Sequence, residues 1–373
     1  MNPSNTVSAA VQAISWANAA RAQSFWLWLN QIANDHGLDV RSLRLASADA
    51  SFRRYFRVDS ALGSQAGSRI IMDAPPDKED CDAFAKVAVL MQGAGLQAPS
   101  VLAWEQSAGF MLLSDLGKQT MMEVIAPPIA DDPTTFVPTP PTDAHHALYM
   151  QAADALISWQ LASKPGVLPV YDDALLSREL ALFPDWYVAK HRKLVLTDSQ
   201  QVVLNSAFVH IKNSNLQSLG GAQVFVHRDY MARNLMVCEG GLGILDFQDA
   251  VYGPITYDIA SLMRDAFLTW PEDFVIDITV RYWQKARQAG LPVGDDFGEF
   301  YRAVEWMGLQ RHLKILGIFA RLTLRDGKPR YLADTPRFIA YVRATAARYR
   351  QLGPLMVLLD SIEGNETRVG YTF

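Results

Sequence analysis

Three polar side chains interrupt an otherwise apolar stretch between residues 224 and 247. Asp229 lies in a loop after the apolar run Val224–Val226, Asn234 comes five residues later, and Asp246 follows two further apolar runs. Phosphoryl transfer needs a carboxylate that orients the attacking hydroxyl, together with oxygen ligands for a divalent cation. A carboxylate, an amide and a second carboxylate are side chains of that kind.

Turn residues between the two later apolar runs predict how Asn234 and Asp246 are brought together. Leu235–Val237 and Leu242–Leu245 flank a Glu-Gly-Gly sequence, and glycine accepts the positive φ angles that a tight reversal needs. In a hairpin centred on Gly240, Asn234 and Asp246 leave the same end on neighbouring strands, about 5 Å apart. The sequence therefore predicts that these two side chains share one Mg²⁺ ion.

The order of these residues resembles that of the aminoglycoside phosphotransferase family of kinase-like enzymes. Residues 227–234 read HRDYMARN, close to the kinase catalytic loop H-R-D-L-x-x-x-N, and residues 246–248 read DFQ where kinases carry D-F-G. GPITYDIA at 253–260 resembles the family segment G-x-P-x-x-D-[LI]-A. The resemblance implies that Asp229 is the catalytic base, that Asn234 and Asp246 bind Mg²⁺, and that ATP donates the phosphate.

The same resemblance assigns supporting roles to neighbouring residues. His227 and Arg228 are expected to brace the loop rather than to react, and Asp258 is expected to hydrogen-bond the loop backbone. Arg233, within the loop, is a candidate substrate-binding residue.

Periodicity places this hairpin in a chain of two lobes. Residues before 117 predict a helix at Arg21–Asp35 and a second helix with Asp77 as its N-cap. The predicted strands are Leu43–Ala46, Arg53–Val58, Arg69–Asp73, Ser100–Trp104 and Phe110–Ser114. The predicted later helices are His146–Ala162, Ala174–Leu194, Ser199–Leu216, Thr256–Phe267, Glu272–Ala289, Phe297–Leu324 and Thr335–Leu352.

The predicted fold class is therefore α+β, and the family resemblance implies a bilobal, protein-kinase-like arrangement. Residues 1–117 would form a small β-rich, nucleotide-binding N-lobe, and residues 118–373 a helical C-lobe with the catalytic hairpin and the substrate site. The proline-rich segment 127–143 is interpreted as an exposed insertion, either a plain linker or a substrate lid.

Composition excludes several other classes of function. The 373 residues carry a net charge of −5, and no basic stripe offsets it, so a nucleic-acid partner is not expected. No apolar run reaches the roughly 18 residues of a membrane span, and the first residues lack a signal-peptide pattern. Cys81 and Cys238 form no disulfide framework and no metal spacing. These features predict a cytoplasmic protein.

The nucleotide-binding end departs from the family pattern. Residues 46–55 read ASADASFRRY without a glycine, which leaves backbone amides and the Ser51 hydroxyl as predicted phosphate contacts. The third strand lacks the phosphate-binding lysine of the family. The candidates to replace it are Arg54, Arg57 and Lys86. LLSDLG at 112–117 resembles the family hinge, so adenine is expected on the backbone from Leu113 to Asp115.

Further segments resemble one bacterial branch of the family, the cytoplasmic kinases that phosphorylate N-acetylmuramate and N-acetylglucosamine at the anomeric C1 hydroxyl. They are SFRRYFR at 51–57, MDAPP at 72–76, LQRHLKILGIF at 309–319 and RDGK at 325–328. The resemblance implies an ATP- and Mg²⁺-dependent sugar kinase of peptidoglycan recycling, whose sugar 1-phosphate passes to a uridylyltransferase.

Two clusters have the chemistry to bind such a sugar. Arg311, His312 and Lys314 are close on one helix and would pair with the lactyl carboxylate of N-acetylmuramate. Glu179 and Trp186 offer an acid for sugar hydroxyls and a ring for the C–H face. The alternatives are a structurally paired or solvated face for the first cluster, and core packing for the second.

Two other functions remain open at this point. A kinase of another hydroxyl compound, such as an aminoglycoside, a choline-like compound or an amino alcohol, would use the same catalytic residues. A nucleotide-binding pseudokinase would explain the missing lysine and glycines, although all three polar residues of the site are present. A protein kinase is disfavoured, because only ten residues separate Asp246 from Tyr257.

Overall fold

The structure is a computed structural model that describes residues 14–16, 18–48, 52–61, 67–126 and 138–364. Within these ranges, the residues through Lys118 and Met236–Gln248 form one unit, and Gln119–Leu235 with the residues from Asp249 onward form another. The first unit is built mainly on a β-sheet and the second is mostly helical. The predicted α+β class is confirmed.

The strands of the described chain are β1 Leu38–Ala48, β2 Arg54–Ser60, β3 Gly67–Asp73, β4 Val101–Glu105, β5 Phe110–Ser114, β6 Gln223–Val226, β7 Leu235–Cys238, β8 Gly241–Ile244 and β9 Val251–Pro254. The first five form an antiparallel sheet in the order β1-β2-β3-β5-β4, while β6 pairs with β9 and β7 with β8. The five strands predicted before residue 115 are confirmed, with β1 longer than expected.

The helices of the described chain are α1 Ala19–Ala33, α2 Cys81–Gly93, α3 Met121–Ile125, α4 Asp143–Leu161, α5 Asp173–Leu182, α6 Asp198–Gln217, α7 Tyr257–Met263, α8 Glu272–Gln288, α9 Phe297–Leu324, α10 Thr335–Arg348 and α11 Gly353–Glu363. A π-helix continues α5 over Phe183–His191. No helix in these ranges combines the length and apolar character needed to cross a membrane.

A row of paired apolar side chains builds the core of the first unit. Phe56 on β2 faces Ile71 on β3, which faces Leu112 on β5, and all three are fully buried. Because successive side chains of a strand point to opposite faces, this row lies on one face of the sheet. α1 packs on that face through Phe25, whose ring centroid is 5.3 Å from that of Phe56.

The start of α2 differs from the sequence prediction. Asp80, and not Asp77, is the N-cap, because its Oδ1 accepts hydrogen bonds from the backbone N–H groups of Asp82 and Ala83. A turn in which the carbonyl of Pro75 accepts two backbone hydrogen bonds precedes the helix. The prolines therefore delay α2 by one turn.

The single helix predicted at Ala174–Leu194 is wrong beyond Leu182. Pro184 has no N–H to continue the α-helical pattern, and the chain widens into the π-helix that ends at His191. The long helix α9 packs closely against this region, and its bounds are those predicted.

Smaller differences lie at other helix ends. The helix predicted at Thr256–Phe267 ends at Met263, where Arg264 leaves helical geometry, and the one predicted at Thr335–Leu352 ends at Arg348. The sequence analysis missed α3, which begins with a capping box, and α11. Of the proline-rich segment, residues 127–137 lie outside the described residues.

Gly317 on α9 has no space for a side chain, because an added Cβ would lie 2.2 Å from the carbonyl oxygen of Leu182. Gly317→Ala should lower the free energy of unfolding by about 1–3 kcal/mol, since overpacking forces the backbone to move. Gly308→Ala is the matched control on the same helix, with its nearest atom 3.6 Å away on an arginine side chain. Urea denaturation compares the two variants, and equal stability would contradict the close approach.

Candidate active site

The loop after β6 is held by a buried carboxylate. Asp258, in the first turn of α7, accepts hydrogen bonds from the backbone N–H groups of His227 at 2.6 Å and Arg228 at 3.0 Å. Burial raises the pKa of Asp258, while His227 and these backbone donors favour its charged form. The prediction that Asp258 hydrogen-bonds the loop backbone is confirmed.

Arg228 has an unusual backbone conformation. Its φ is +77°, a left-handed value that is unfavourable for a residue with a side chain unless its surroundings impose it. Its guanidinium makes an ion pair with Glu179, with 2.5 Å between Nη2 and Oε1. Its carbonyl oxygen accepts a hydrogen bond from Arg311 Nη1 at 2.6 Å. These contacts fix the backbone from which Asp229 projects.

Glu179 is the centre of a buried charge network. Its side chain is 5% exposed and accepts hydrogen bonds from Tyr171 Oη at 2.6 Å, Gln310 Nε2 at 2.9 Å and Lys314 Nζ at 2.8 Å, in addition to Arg228. Burial alone would raise the pKa of Glu179, but Lys314 and Arg228 outweigh it and lower the pKa to about 2. Glu179 is therefore charged at neutral pH and ties α5, α9 and the loop together.

The loop itself brings Asp229 and Asn234 together. Asn234 ends a 3₁₀ turn, and its Nδ2 donates a hydrogen bond to the carbonyl oxygen of Asp229 at 2.8 Å. The backbone N–H of Asp229 donates to His227 Nδ1 at 3.2 Å. Because the amide nitrogen of Asn234 is used in this bond, a cation would meet its Oδ1.

Asp265 is a second buried support of the loop, and the sequence analysis missed it. Its Oδ2 accepts a hydrogen bond from the backbone N–H of Ala232 at 3.2 Å, and its Oδ1 accepts one from that of Phe267 at 2.7 Å. The residue lies 33 positions after the loop residue that it holds, and no motif spacing marks it.

Asp246 follows the hairpin that β7 and β8 form. Gly240 and Gly241 turn the chain with φ values of +84° and +147°, so the predicted glycine reversal is confirmed. Asp246 is exposed, has a φ of +61°, and accepts a hydrogen bond from Gln248 Nε2 at 2.9 Å. Non-glycine residues with left-handed φ values cluster at functional sites.

The donor set suits a hard cation. An amide oxygen from Asn234 and a carboxylate from Asp246 are ligands that Mg²⁺ takes, with water and phosphate oxygens completing its octahedron. In the ranges that the structure describes, no three histidine, cysteine or acidic residues are gathered as a metal cluster.

Of the predicted nucleotide contacts, Arg54 is the first residue of β2. Ser51 is outside the described residues. Arg54 makes an ion pair with Asp73, with 2.5 Å between Nη2 and Oδ2, and Asp73 also pairs with Arg21. Arg54 is thus part of a salt-bridge network of the first unit.

The other two predicted contacts lie at the end of β5. Leu113 is buried and pairs with Ile70 on β3. Asp115 pairs with Arg57 at 2.6 Å and accepts hydrogen bonds from Ser68 Oγ at 2.5 Å and Gly117 N–H at 3.0 Å. Burial would raise the pKa of Asp115, but Arg57 and Ser68 outweigh it and lower the pKa. The contacts of the Asp115 side chain therefore hold this segment in place.

The predicted basic cluster of α9 lies in the interior. Arg311 is buried, with its guanidinium over the Tyr257 ring at 5.0 Å and hydrogen-bonded to the loop. His312 is also buried, and burial lowers its pKa to about 3, so that its imidazole is neutral. It stacks on Tyr341 at 4.8 Å. This placement favours structural pairing over contact with a sugar carboxylate.

The remaining candidates for substrate binding are Glu179, Trp186 and Arg233, and their surroundings differ. The hydrogen-bond partners of Glu179 are three buried side chains and the partly exposed Arg228, which favours bracing of the loop over sugar binding. Trp186 is half-buried on the π-helix. Arg233 lies on the loop near Asp229, half-buried, with its guanidinium 4.9 Å from the Phe267 ring centroid.

Comparison with known proteins assigns the class. The model of the phosphotransferase enzyme family matches residues 42–296, and the chain belongs to this family. It is 48% identical to the N-acetylmuramate/N-acetylglucosamine kinase of Pseudomonas aeruginosa over 319 residues, which covers 85% of this chain and 87% of that protein. It is 44% identical to the kinase of the same name from Neisseria meningitidis, over 93% of this chain and 97% of that one.

Solved structures agree with the fold. The ADP-bound aminoglycoside phosphotransferase APH(2'')-Ib aligns with a TM-score of 0.54 at 15% identity, over 87% of this chain and 98% of that one. A choline/ethanolamine kinase family protein from Mesorhizobium loti aligns with a TM-score of 0.58 at 14% identity, over 91% and 99%. The predicted kinase-like fold is therefore confirmed.

Glu179→Gln removes the charge that Lys314 and Arg228 face in the interior. Breaking a buried ion pair from one side costs about 3–5 kcal/mol, so a loss of unfolding free energy of that order is expected near neutral pH. Folding depresses the pKa of Glu179 from about 4.3 in the unfolded chain to about 2. The stabilisation is therefore present above the unfolded pKa and lost as the pH falls towards 2.

Urea denaturation should show a difference in unfolding free energy between wild type and Glu179→Gln. This difference is constant near neutral pH and shrinks below about pH 4. Asp173→Asn is the matched control on the same helix, because the Asp173 carboxylate that pairs with Lys212 is exposed to solvent. That variant should unfold almost like wild type. Equal unfolding free energies at neutral pH, or a difference that persists in acid, would contradict the stabilising role of the Glu179 network.

Proposed function

We propose that the protein is an ATP- and Mg²⁺-dependent kinase that phosphorylates the C1 hydroxyl of N-acetylmuramate and N-acetylglucosamine. The observation that carries the proposal is the loop in which Asp229 and Asn234 are held together at the motif spacing of kinases. Relatives at 44–48% identity, named kinases of these two sugars, support the choice of acceptor.

Asp229 would orient the C1 hydroxyl and accept its proton as the oxygen attacks the γ-phosphate. The loop leaves Asp229 little freedom, because Asp258 and Arg311 bind the backbone around Arg228 and Glu179 binds its guanidinium. In phosphoryl transfer most of the catalysis is positioning and neutralisation of charge, so a loop fixed before the substrate binds contributes directly.

Asn234 Oδ1 and the carboxylate of Asp246 would hold the magnesium ion. When bound, the ion neutralises charge on the phosphate oxygens. The proposal is supported by their places at the two ends of one glycine hairpin, with Asn234 directly before β7 and Asp246 two residues after β8.

The adenine would bind the backbone near Leu113 and Asp115, and Ser51 and Arg54 remain proposed phosphate contacts. Arg233 is the proposed acceptor contact that lies on the catalytic loop itself. The product would be a sugar 1-phosphate, a substrate for a uridylyltransferase, and both reactions would take place in the cytoplasm as part of peptidoglycan recycling.

The acceptor is tested with purified protein, ATP and Mg²⁺ in the presence of each amino sugar. Phosphorus NMR should detect a sugar 1-phosphate that is stable in alkali and is hydrolysed by mild acid. A product phosphorylated at another hydroxyl would contradict the C1 assignment alone. Turnover only with an aminoglycoside or a choline-like compound would reject the sugar but keep the kinase.

Asp229→Asn keeps the shape of the side chain and removes the proton acceptor. Loss of a general base typically lowers kcat by about 10²- to 10⁴-fold, whereas nucleotide affinity, measured by calorimetry with ADP, should stay within a factor of about two, since the substitution removes no proposed nucleotide contact. Asp35→Asn, at an exposed aspartate after α1, is the control and should be fully active. Unchanged kcat in Asp229→Asn would reject the assigned base.

A further inference from the structure

A buried arginine lies at the entrance of β2. Arg53 is 7% exposed, although its neighbour Phe52 is 65% exposed. Its Nη2 makes an ion pair with Glu79 Oε2 at 2.8 Å. Removing a guanidinium and a carboxylate from water has a large desolvation cost, and an ion pair of this kind is weak evidence for a purely stabilising role.

Glu79 holds both the side chain and the backbone at this point. Its Oε1 accepts a hydrogen bond from the backbone N–H of Phe52 at 3.1 Å, while its other oxygen pairs with Arg53. Glu79 directly precedes Asp80, the N-cap of α2. The contacts therefore tie the start of β2 to the start of α2 and fix the direction of the Arg53 side chain.

The same helix brings Arg53 into the neighbourhood of Asp246. Phe84 on α2 packs against Phe247, with 4.9 Å between the ring centroids, and Asp246 is the residue before Phe247. Burial would lower the pKa of Arg53, but Tyr55, Glu79 and Asp246 outweigh it and raise the pKa. The first unit thus collects a fixed cation and the proposed metal ligand in one region.

Arg53 and Glu79 resemble a kinase ion pair whose lysine is missing from β3. In protein kinases a lysine that contacts the phosphates is held by a glutamate from the adjoining helix. β3 reads GSRIIMD, and the arginines considered from sequence are paired elsewhere, Arg54 with Asp73 and Arg57 with Asp115. A guanidinium has five donors, so an acid that orients it does not prevent it from binding an anion.

We propose that Arg53, oriented by Glu79, binds the phosphates of the nucleotide next to Asp246. The proposal rests on the proposed use of ATP and adds to it the cation that neutralises the phosphate chain. Arg53 replaces a strand lysine with a side chain from the start of the preceding strand, and the planar guanidinium offers two parallel hydrogen bonds to phosphate oxygens.

The proposal is tested by ligand binding without any acceptor sugar. Calorimetry would compare ADP and adenosine for wild type, Arg53→Met and Arg53→Lys. Hydrogen bonds to charged groups imply that Arg53→Met lowers ADP affinity by about 10- to 100-fold, with adenosine affinity within about twofold of wild type, and that Arg53→Lys recovers part of the loss. If the ion pair is purely structural, Arg53→Met should lower the affinities for ADP and adenosine equally, or change neither.

Arg53→Met leaves Glu79 buried without its partner and is expected to be less stable. The double variant Arg53→Met/Glu79→Met removes both charges, so it separates folding from binding and should show the same selective loss of ADP affinity. Arg44→Met is the matched control, because Arg44 on β1 makes an exposed ion pair with Asp59. This variant should bind ADP and adenosine as wild type does.

Two outcomes would overturn the proposal, and they are distinguishable. ADP affinity in the double variant within twofold of wild type would reject the role of Arg53 and leave the proposed kinase function standing. Failure of wild type to bind ADP would reject the nucleotide, and with it both the proposed kinase function and this assignment.

Discussion

The conformation of the loop that carries Asp229 depends on two buried carboxylates. Glu179 and Asp258 are both buried, and both contact the short segment His227 to Arg228, one through a guanidinium and the other through backbone N–H groups. Without these partners the left-handed conformation of Arg228 would relax. The position of Asp229 follows from that conformation.

Two cations on a single long helix contribute to this arrangement. α9 carries Lys314 and Arg311 into the interior, where the first pairs with Glu179 and the second donates to the carbonyl of Arg228. A buried carboxylate with several hydrogen bonds and a paired cation stays ionised, and a half-satisfied network would be worse than an apolar core. Arg311 and Lys314 of α9 therefore contact the loop and the carboxylate that supports it.

Local patterns predicted a large part of the fold. Short apolar segments located β2, β3 and β5, the bounds of α9 matched its helical periodicity, and the two glycines indicated the hairpin of β7 and β8. The spacing of HRDYMARN placed Asp229 and Asn234 on one loop. These features depend on residues that are close in sequence, where turn chemistry and periodicity act directly.

Contacts between distant residues could not be predicted in this way. Glu179 and Lys314 are 135 positions apart, and nothing in either local sequence indicates that one neutralises the other. Arg311, a candidate for the sugar carboxylate, lies in the interior, because α9 is covered on most sides by other helices of its unit. The pairing of Arg53 with Glu79 was hidden for the same reason, since it depends on where α2 begins, which the prolines shifted by a turn.

The most direct test of the account is amide hydrogen exchange in the substrate-free protein, resolved to single residues of the loop. If buried carboxylates fix the loop before any ligand binds, the amides of His227 and Arg228 should be protected nearly as well as those of β6. Exchange at the rate of an exposed loop would contradict the account, because it would mean that the loop acquires its geometry only when substrate arrives.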